Sequence, residues 1–123
     1  MRIFLALSAS AFACLVLINS SAAQNPDSGK ELFQKRCGGC HALDREKEGP
    51  RLHAVYGRTA GSIDSFQYSE ALKKSEIVWG DDTLDRWLAN TDALVPGNDM
   101  TFHVESGGER RAIIAFLKEE SGK

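Results

Sequence analysis

Cys37-Gly38-Gly39-Cys40-His41 constrains this chain more than any other stretch. The pattern C-x-x-C-H is the attachment signature of a c-type haem. Two thiols on one short turn reach the two vinyl groups along one side of a porphyrin, and the imidazole that follows comes up beneath the iron. Gly38 and Gly39 carry no side chains to hold the backbone off the ring. Such a chain has to fold around a large, flat, apolar body joined to it covalently. The hard chemistry then belongs to the cofactor, and the polypeptide binds, orients and tunes it.

Residues 1–23 read as a cleaved signal peptide. Met1-Arg2 is a minimal positive start, Ile3 to Ile18 is apolar, and Ser21 and Ala23 are the small residues a signal peptidase needs, so cleavage is expected after Ala23. The 16-residue apolar core is interrupted by Ser8 and Ser10 and falls short of the roughly 20 residues that span a bilayer. That disfavours an uncleaved anchor. Ala11-Phe12-Ala13 is a poor lead-in to a lipid-bearing Cys14, so lipidation is the weaker reading. The expectation is a periplasmic protein with no stable membrane insertion.

Residues 24–123 suffice for one domain and not for two. A chain of this size buries a modest fraction of its surface, and a covalent haem supplies an apolar body for the core to pack around. Setting aside Arg2 leaves 14 of the 15 basic residues against 17 acidic ones, a net charge of −3, which argues against general nucleic-acid binding. Cys37 and Cys40 are then the only cysteines, and a pair two residues apart staples no loop. A zinc site needs four ligands, and only His53 and His103 remain to complete one, at no recognised spacing. A thioredoxin-like dithiol needs a βαβ setting that the flanking pattern lacks.

The organisation that follows is helical. Ser28-Gly29-Lys30-Glu31 fits a capping box, predicting a helix to about Cys40 that turns Leu32 and Phe33 inward. Residues 42–67 show no sustained periodicity and read as a long loop layer, a length unusual in a compact domain unless it wraps something. Tyr68 to Lys74 predicts a short helix. Asp82 is expected to cap another over Thr83 to about Ala89, with Leu84, Trp87 and Leu88 on one face. Ser106-Gly107-Gly108-Glu109 opens a last helix whose apolar face is Ala112, Ile113, Phe116 and Leu117 and which Gly122 ends.

Between those last two helices Pro96-Gly97-Asn98-Asp99-Met100 breaks helix and leaves a methionine in a loop. A lone methionine is usually a core filler. Met100 is, however, the only methionine once Met1 is removed, and an exposed loop has little core to fill. A thioether opposite His41 would complete six-coordinate iron, raise its reduction potential and favour electron transfer over small-molecule binding.

From Gly29 to Lys118 the chain resembles the class I, mitochondrial-type cytochromes c, close to the bacterial c2-like members. The matching stretches are G-K-E-L-F-Q-K-R-C-G-G-C-H, G-P-R-L-H-A-V-Y-G-R-T-A-G-S, F-Q-Y-S-E-A-L, W-G-D-D-T-L-D-R-W-L-A-N, P-G-N-D-M-T-F and A-I-I-A-F-L-K. The resemblance implies an all-α fold of four to five short helices and long loops wrapped around one haem. It also implies a monomeric single-electron carrier that performs no bond chemistry. Its partners would be redox proteins: a membrane quinol-oxidising complex, a terminal oxidase or a periplasmic dehydrogenase.

The resemblance further implies roles residue by residue. Cys37 and Cys40 would hold the haem, with His41 and Met100 on the iron. The Pro50 carbonyl would accept from the free nitrogen of His41 and fix its ring. Arg58, Tyr68 and Trp79 would surround the buried propionate. Gly29 and Phe33 would meet Ile113 and Phe116 where the first and last helices cross. His53 and His103 match no ligand position. Trp87 stands where the family usually has a tyrosine facing the methionine sulfur, and Asn98 where threonine is usual. Leu72 replaces a buried amide, and the His41–Pro50 loop is short.

Charge is unevenly spread. Glu76 to Glu105 holds seven acids against one base, Arg86, and Asp99 stands where a lysine is common. Bases gather instead at Lys30, Lys35, Arg36, Arg45, Lys47, Arg51 and Arg58, so docking is expected through the Cys37–Arg58 side with modest salt dependence. Two rival functions are a haem peroxidase or small-ligand binder with an open sixth position, and a dedicated subunit of a dehydrogenase or oxidase. A covalent haem makes one prediction directly: the denatured protein keeps its haem absorbance through acid–solvent extraction, whereas a dithiol protein has none to keep.

Overall fold

In the computed structural model, residues 26–123 are described; the leader expected over 1–23 lies outside the described residues. Five helices follow in order: α1 (Pro26–Arg36), α2 (Glu70–Lys73), α3 (Asp81–Ala89), α4 (Thr91–Leu94) and α5 (Gly107–Ser121). Among the described residues no strand forms, and an isolated antiparallel bridge pairs Thr59 with Val78. The all-helical architecture is the one expected. No described helix is long and apolar enough to cross a membrane.

The helix boundaries differ from expectation in instructive ways. α1 starts at Pro26 and not at Ser28. Proline's fixed φ and missing N–H cost nothing at a first helical position, and Asp27 complements the positive helix end. α1 stops at Arg36, short of Cys40: the Cys37 amide makes a last helical bond to the Phe33 carbonyl at 2.8 Å, and the Gly38 amide takes the same carbonyl at 3.0 Å in place of that of Gln34. The amides of Cys40 and His41 then share the Cys37 carbonyl, at 3.1 and 2.9 Å. The result is a tight turn that carries the C-x-x-C-H residues.

At α3 the cap is built by Thr83, not by Asp82. The Gly80 amide donates to Thr83 Oγ1 at 2.8 Å, and that hydroxyl donates to the Val78 carbonyl at 2.8 Å. Asp82 instead faces Arg86 at 3.8 Å. The four-residue α4 went unpredicted; Asn90 ends α3 and caps α4, its Oδ1 accepting from the Ala93 amide at 3.1 Å. The expected last helix forms, with Ser106 Oγ accepting from the Glu109 amide at 3.2 Å. The Glu109 carboxylate turns outward to Arg36, 2.7 Å away.

The core is organised by the crossing of α1 and α5. A side chain at Gly29 would run into the Ala112 carbonyl, so this position lets the two backbones touch. The Phe33 and Phe116 rings lie 5.3 Å apart at 46° beside it. α3 packs on α5 through Leu84 and Leu88, and Arg110 fastens the edge by bonding Asp85 at 2.7 Å and the Val104 and Glu105 carbonyls at 2.8 and 2.9 Å. Phe116 lies away from the cleft described below. Phe116→Ala is therefore expected to remove about 3–5 kcal/mol of stability by cavity formation at the crossing, measured by denaturant unfolding of the haem-loaded protein.

Candidate haem site

Between α1, α3, α5 and the loops lies a cleft of about 340 Å³. Its wall includes Val55, Leu72, Leu84, Leu88, Ile113 and Leu117. Cys37, Cys40, His41, Pro50, Arg58, Tyr68, Trp79, Trp87, Asn98 and Met100 all line it as well. The chain thus brings residues from positions 37 to 100 onto one surface, and each segment arrives by its own local device.

The first device is the loop 42–50. The Gly49 amide returns to the Cys40 carbonyl at 2.8 Å, and the Lys47 ammonium donates to the Gly38 carbonyl at 2.7 Å. This fold-back sets the Pro50 carbonyl 2.8 Å from His41 Nδ1. Nδ1 must donate in that pair, which leaves the Nε2 lone pair for a metal. Gly49 lies flat against the imidazole, so close that a Cβ there would overlap the ring. Gly49 was not singled out from sequence as a site residue. Its only signal was its place directly before the proline whose carbonyl orients His41.

Gly38 and Gly39 were expected to permit close approach to the cofactor. The structure assigns Gly38 a different constraint: a Cβ there would meet the Gln34 carbonyl of α1 at 2.6 Å, while at Gly39 it would meet nothing.

The second device is the Thr59–Val78 bridge. The Trp79 amide donates to the Arg58 carbonyl at 2.9 Å, and the Gly57 amide to the Trp79 carbonyl at 2.7 Å. Arg58 and Trp79 therefore enter the cleft side by side. The Arg58 guanidinium also holds the His53 and Arg51 carbonyls at 3.1 and 3.0 Å. Tyr68 stacks edge-on to Phe66 at 4.9 Å. The Trp79 and Trp87 rings lie 5.4 Å apart, and both line the cleft. His53 and His103 are exposed and contribute nothing to the cleft wall.

Protonation follows from burial. Desolvation lowers the His41 pKa, against the Pro50 carbonyl, which raises it; the neutral imidazole that ligates metals is favoured. Burial pushes the Cys37 thiol up to about 11. The Cys40 thiol is raised chiefly by its 3.2 Å hydrogen bond to Glu48. A reactive dithiol centre needs a depressed thiol pKa, and here both move the other way. Burial also raises Tyr68 and lowers Arg58, leaving the phenol neutral and the guanidinium charged, a donor pair suited to a carboxylate.

A family model for cytochrome c matches residues 26–120. The chain belongs to the cytochrome c family. Cytochrome c of Euglena viridis is 40% identical over 95 residues, covering 75% of this chain and 93% of that protein. Cytochrome c 2.1 of Caenorhabditis elegans is 38% identical over 100 residues, covering 79% and 90%. Among solved structures, cytochrome cH from Methylobacterium extorquens superposes with a TM-score of 0.73 at 34% identity, covering 77% of this chain and 98% of that one. Membership makes the chain a haem-bearing electron carrier of class I fold, and Cys37, Cys40 and His41 suit one covalent haem c.

The residues present fit that group. Two thiols stand on the rim and in the wall, an imidazole has its outer nitrogen already committed, and the Arg58 donor sits in a largely apolar cleft. Gly49→Ala is expected to push the His41 ring off its seat. Overpacking at this contact should cost about 1–3 kcal/mol and lower the yield of haem-loaded protein, measured by unfolding and by the ratio of haem to protein absorbance.

Proposed function

We propose that this cytochrome c is an exported, monomeric carrier that moves single electrons between periplasmic or membrane-bound redox proteins, with His41 and Met100 as the two axial ligands. When bound, the haem supplies a one-electron ferrous–ferric couple. The observation that carries the reading is the placement of Met100 on the cleft that also holds His41, Cys37 and Cys40. His41 is held by Pro50 so that its ring keeps one orientation, and Met100, which lines the same cleft, would exclude water and small ligands from the bound group. Arg58, Tyr68 and Trp79 would meet a buried propionate, the guanidinium by charge and the phenol and indole as donors. Trp87 would stand beside the thioether; its larger ring carries the N–H in a fixed direction, so the sulfur would accept a hydrogen bond only if that N–H points at it, where a hydroxyl could rotate to do so. Asn98 belongs to the Met100 side of the cleft.

A Met100 thioether on the iron would close the sixth position and so speak against the peroxidase reading, and the raised thiols argue against a dithiol redox centre. Docking through the Cys37–Arg58 side is compatible with the ion pairs there. Arg36–Glu109 at 2.7 Å, Arg45–Asp44 at 3.2 Å and Arg51–Glu46 at 2.5 Å neutralise part of the positive charge, which fits weak salt dependence. Lys73 and Lys74 both face Glu70.

A redox titration followed by absorbance tests the axial pair. The wild type should show the weak far-red methionine–iron band in its ferric state. Met100→Ala should lose it and lower the potential by on the order of 100 mV, within the roughly 0.8 V over which axial ligands set haem potentials. A band absent from the wild type, or a potential that Met100→Ala leaves unchanged, refutes the assignment. For docking, Lys35→Glu or Arg51→Glu should slow electron transfer to a redox partner several-fold. A steep loss on changing Lys73 or Lys74, with none at Lys35 or Arg51, would reverse the docking face.

A further inference from the structure

Thr91 is the first residue of α4, and only 1% of its surface is exposed. Its hydroxyl serves no helical purpose. Oγ1 accepts from the Phe102 amide at 3.2 Å and donates to the Phe102 carbonyl at 3.3 Å, to which the Thr91 amide also donates at 3.4 Å. One side chain therefore engages both backbone polar groups of a residue 11 positions away. On the other side of Met100, Asn98 is held as firmly. Its Oδ1 accepts from the Met100 amide at 2.7 Å, while its Nδ2 donates to the Val95 carbonyl at 2.9 Å and to Asp92 Oδ1 at 3.1 Å. The Val95-Pro96-Gly97-Asn98 turn closes with the Asn98 amide on the Val95 carbonyl at 3.2 Å, Gly97 taking φ +86°.

Both grips start from the same short helix. Asp92, Val95 and Thr91 belong to α4 or its end, and they bracket Met100 two residues before it and two residues after it. We propose that Thr91 and Asn98 are positioning residues that clamp the Met100 loop to α4 and so set how readily the thioether leaves the iron. This rests on the reading of Met100 as the second axial ligand. A neutral thioether is a weak ligand for ferric iron, and an incoming competitor must move the loop to take its place. Each hydrogen bond broken by that movement raises the cost of displacement. Thr91 is decisive because its hydroxyl is buried, so no water replaces what it loses.

The experiment is an imidazole titration of the haem-loaded ferric protein, read at the far-red band. Thr91→Val keeps the shape and removes the hydroxyl. It should raise the apparent affinity for imidazole about tenfold, equivalent to about 1.4 kcal/mol, the size of one or two net hydrogen bonds. Thr91→Ser, which keeps the hydroxyl, should return to within about twofold of the wild type. Asn98→Ala, at the more exposed end of the clamp, carries the same expectation as Thr91→Val and stands in for it if that variant loads no haem. Ser121→Ala removes a hydroxyl bridge between the Tyr56 amide and the Leu117 carbonyl that shares no hydrogen bond with the loop; it should lower the urea midpoint without changing imidazole affinity. A present band with wild-type affinity in Thr91→Val, or in Asn98→Ala if the former loads no haem, overturns the clamp. So does an equal rise in Ser121→Ala. A band missing from the wild type overturns instead the ligand assignment on which the clamp rests.

Discussion

The crossing of α1 and α5 is the contact on which everything else is hung. Gly29 lets the two backbones meet at Ala112, and Phe33 and Phe116 fill the space beside them. From that joint α1 runs one turn further and ends in the Cys37–His41 turn. α5 sends Ile113 and Leu117, one turn apart, into the cleft wall. Apolar burial at the joint thus fixes the relation between the thiols and the opposite wall, although the two helices lie at the two ends of the domain. The Arg36–Glu109 pair sits at the edge of the crossing, where its charges remain partly hydrated and add little.

The rest of the cleft is held differently. The loops between α1 and α3 cannot position residues by helical periodicity, and they use backbone hydrogen bonds. The 42–50 fold-back orients His41 through Pro50, and the Thr59–Val78 bridge aligns Arg58 with Trp79. Such bonds are individually modest, yet a buried one is costly to leave unmade. That asymmetry makes irregular backbone precise without regular secondary structure. The Met100 side follows the same logic, with the side chains of Thr91 and Asn98 replacing the backbone as partners.

Electrostatics separates the interior from the surface. Inside, burial favours neutral His41, neutral Tyr68 and, before attachment, a protonated Cys37, while Arg58 offers a partly buried positive charge to a bound group. Outside, the uneven distribution of acids and bases seen along the chain is softened by pairing. Arg36, Arg45 and Arg51 each face a carboxylate, while Asp99 reaches the cleft mouth beside Met100. A surface of this kind guides a partner by local complementarity more than by a long-range field.

Much of this was legible in the residues. Cys37-Gly38-Gly39-Cys40-His41 named the cofactor, because covalent attachment demands a fixed spacing that few other chemistries share. The apolar faces of α3 and α5 were readable because a helix buries every third or fourth residue. Caps were less legible: Ser106 served as expected, but Thr83 reached back to Gly80 and displaced Asp82, since several short polar side chains compete for the same amides. The four-residue α4 has no periodicity to detect, and only tertiary structure showed that Thr91 is buried against Phe102. Gly49 and Thr91 share that reason for being missed. Their importance lies in what stands opposite them, a ring and a peptide group brought close by the fold; along the chain nothing near Thr91 announces it, and near Gly49 only the proline that follows does. By itself the sequence determined the cofactor and its attachment, which depend on local spacing. How firmly His41 and Met100 are held was decided by the tertiary structure, because that depends on contacts between segments far apart in the chain.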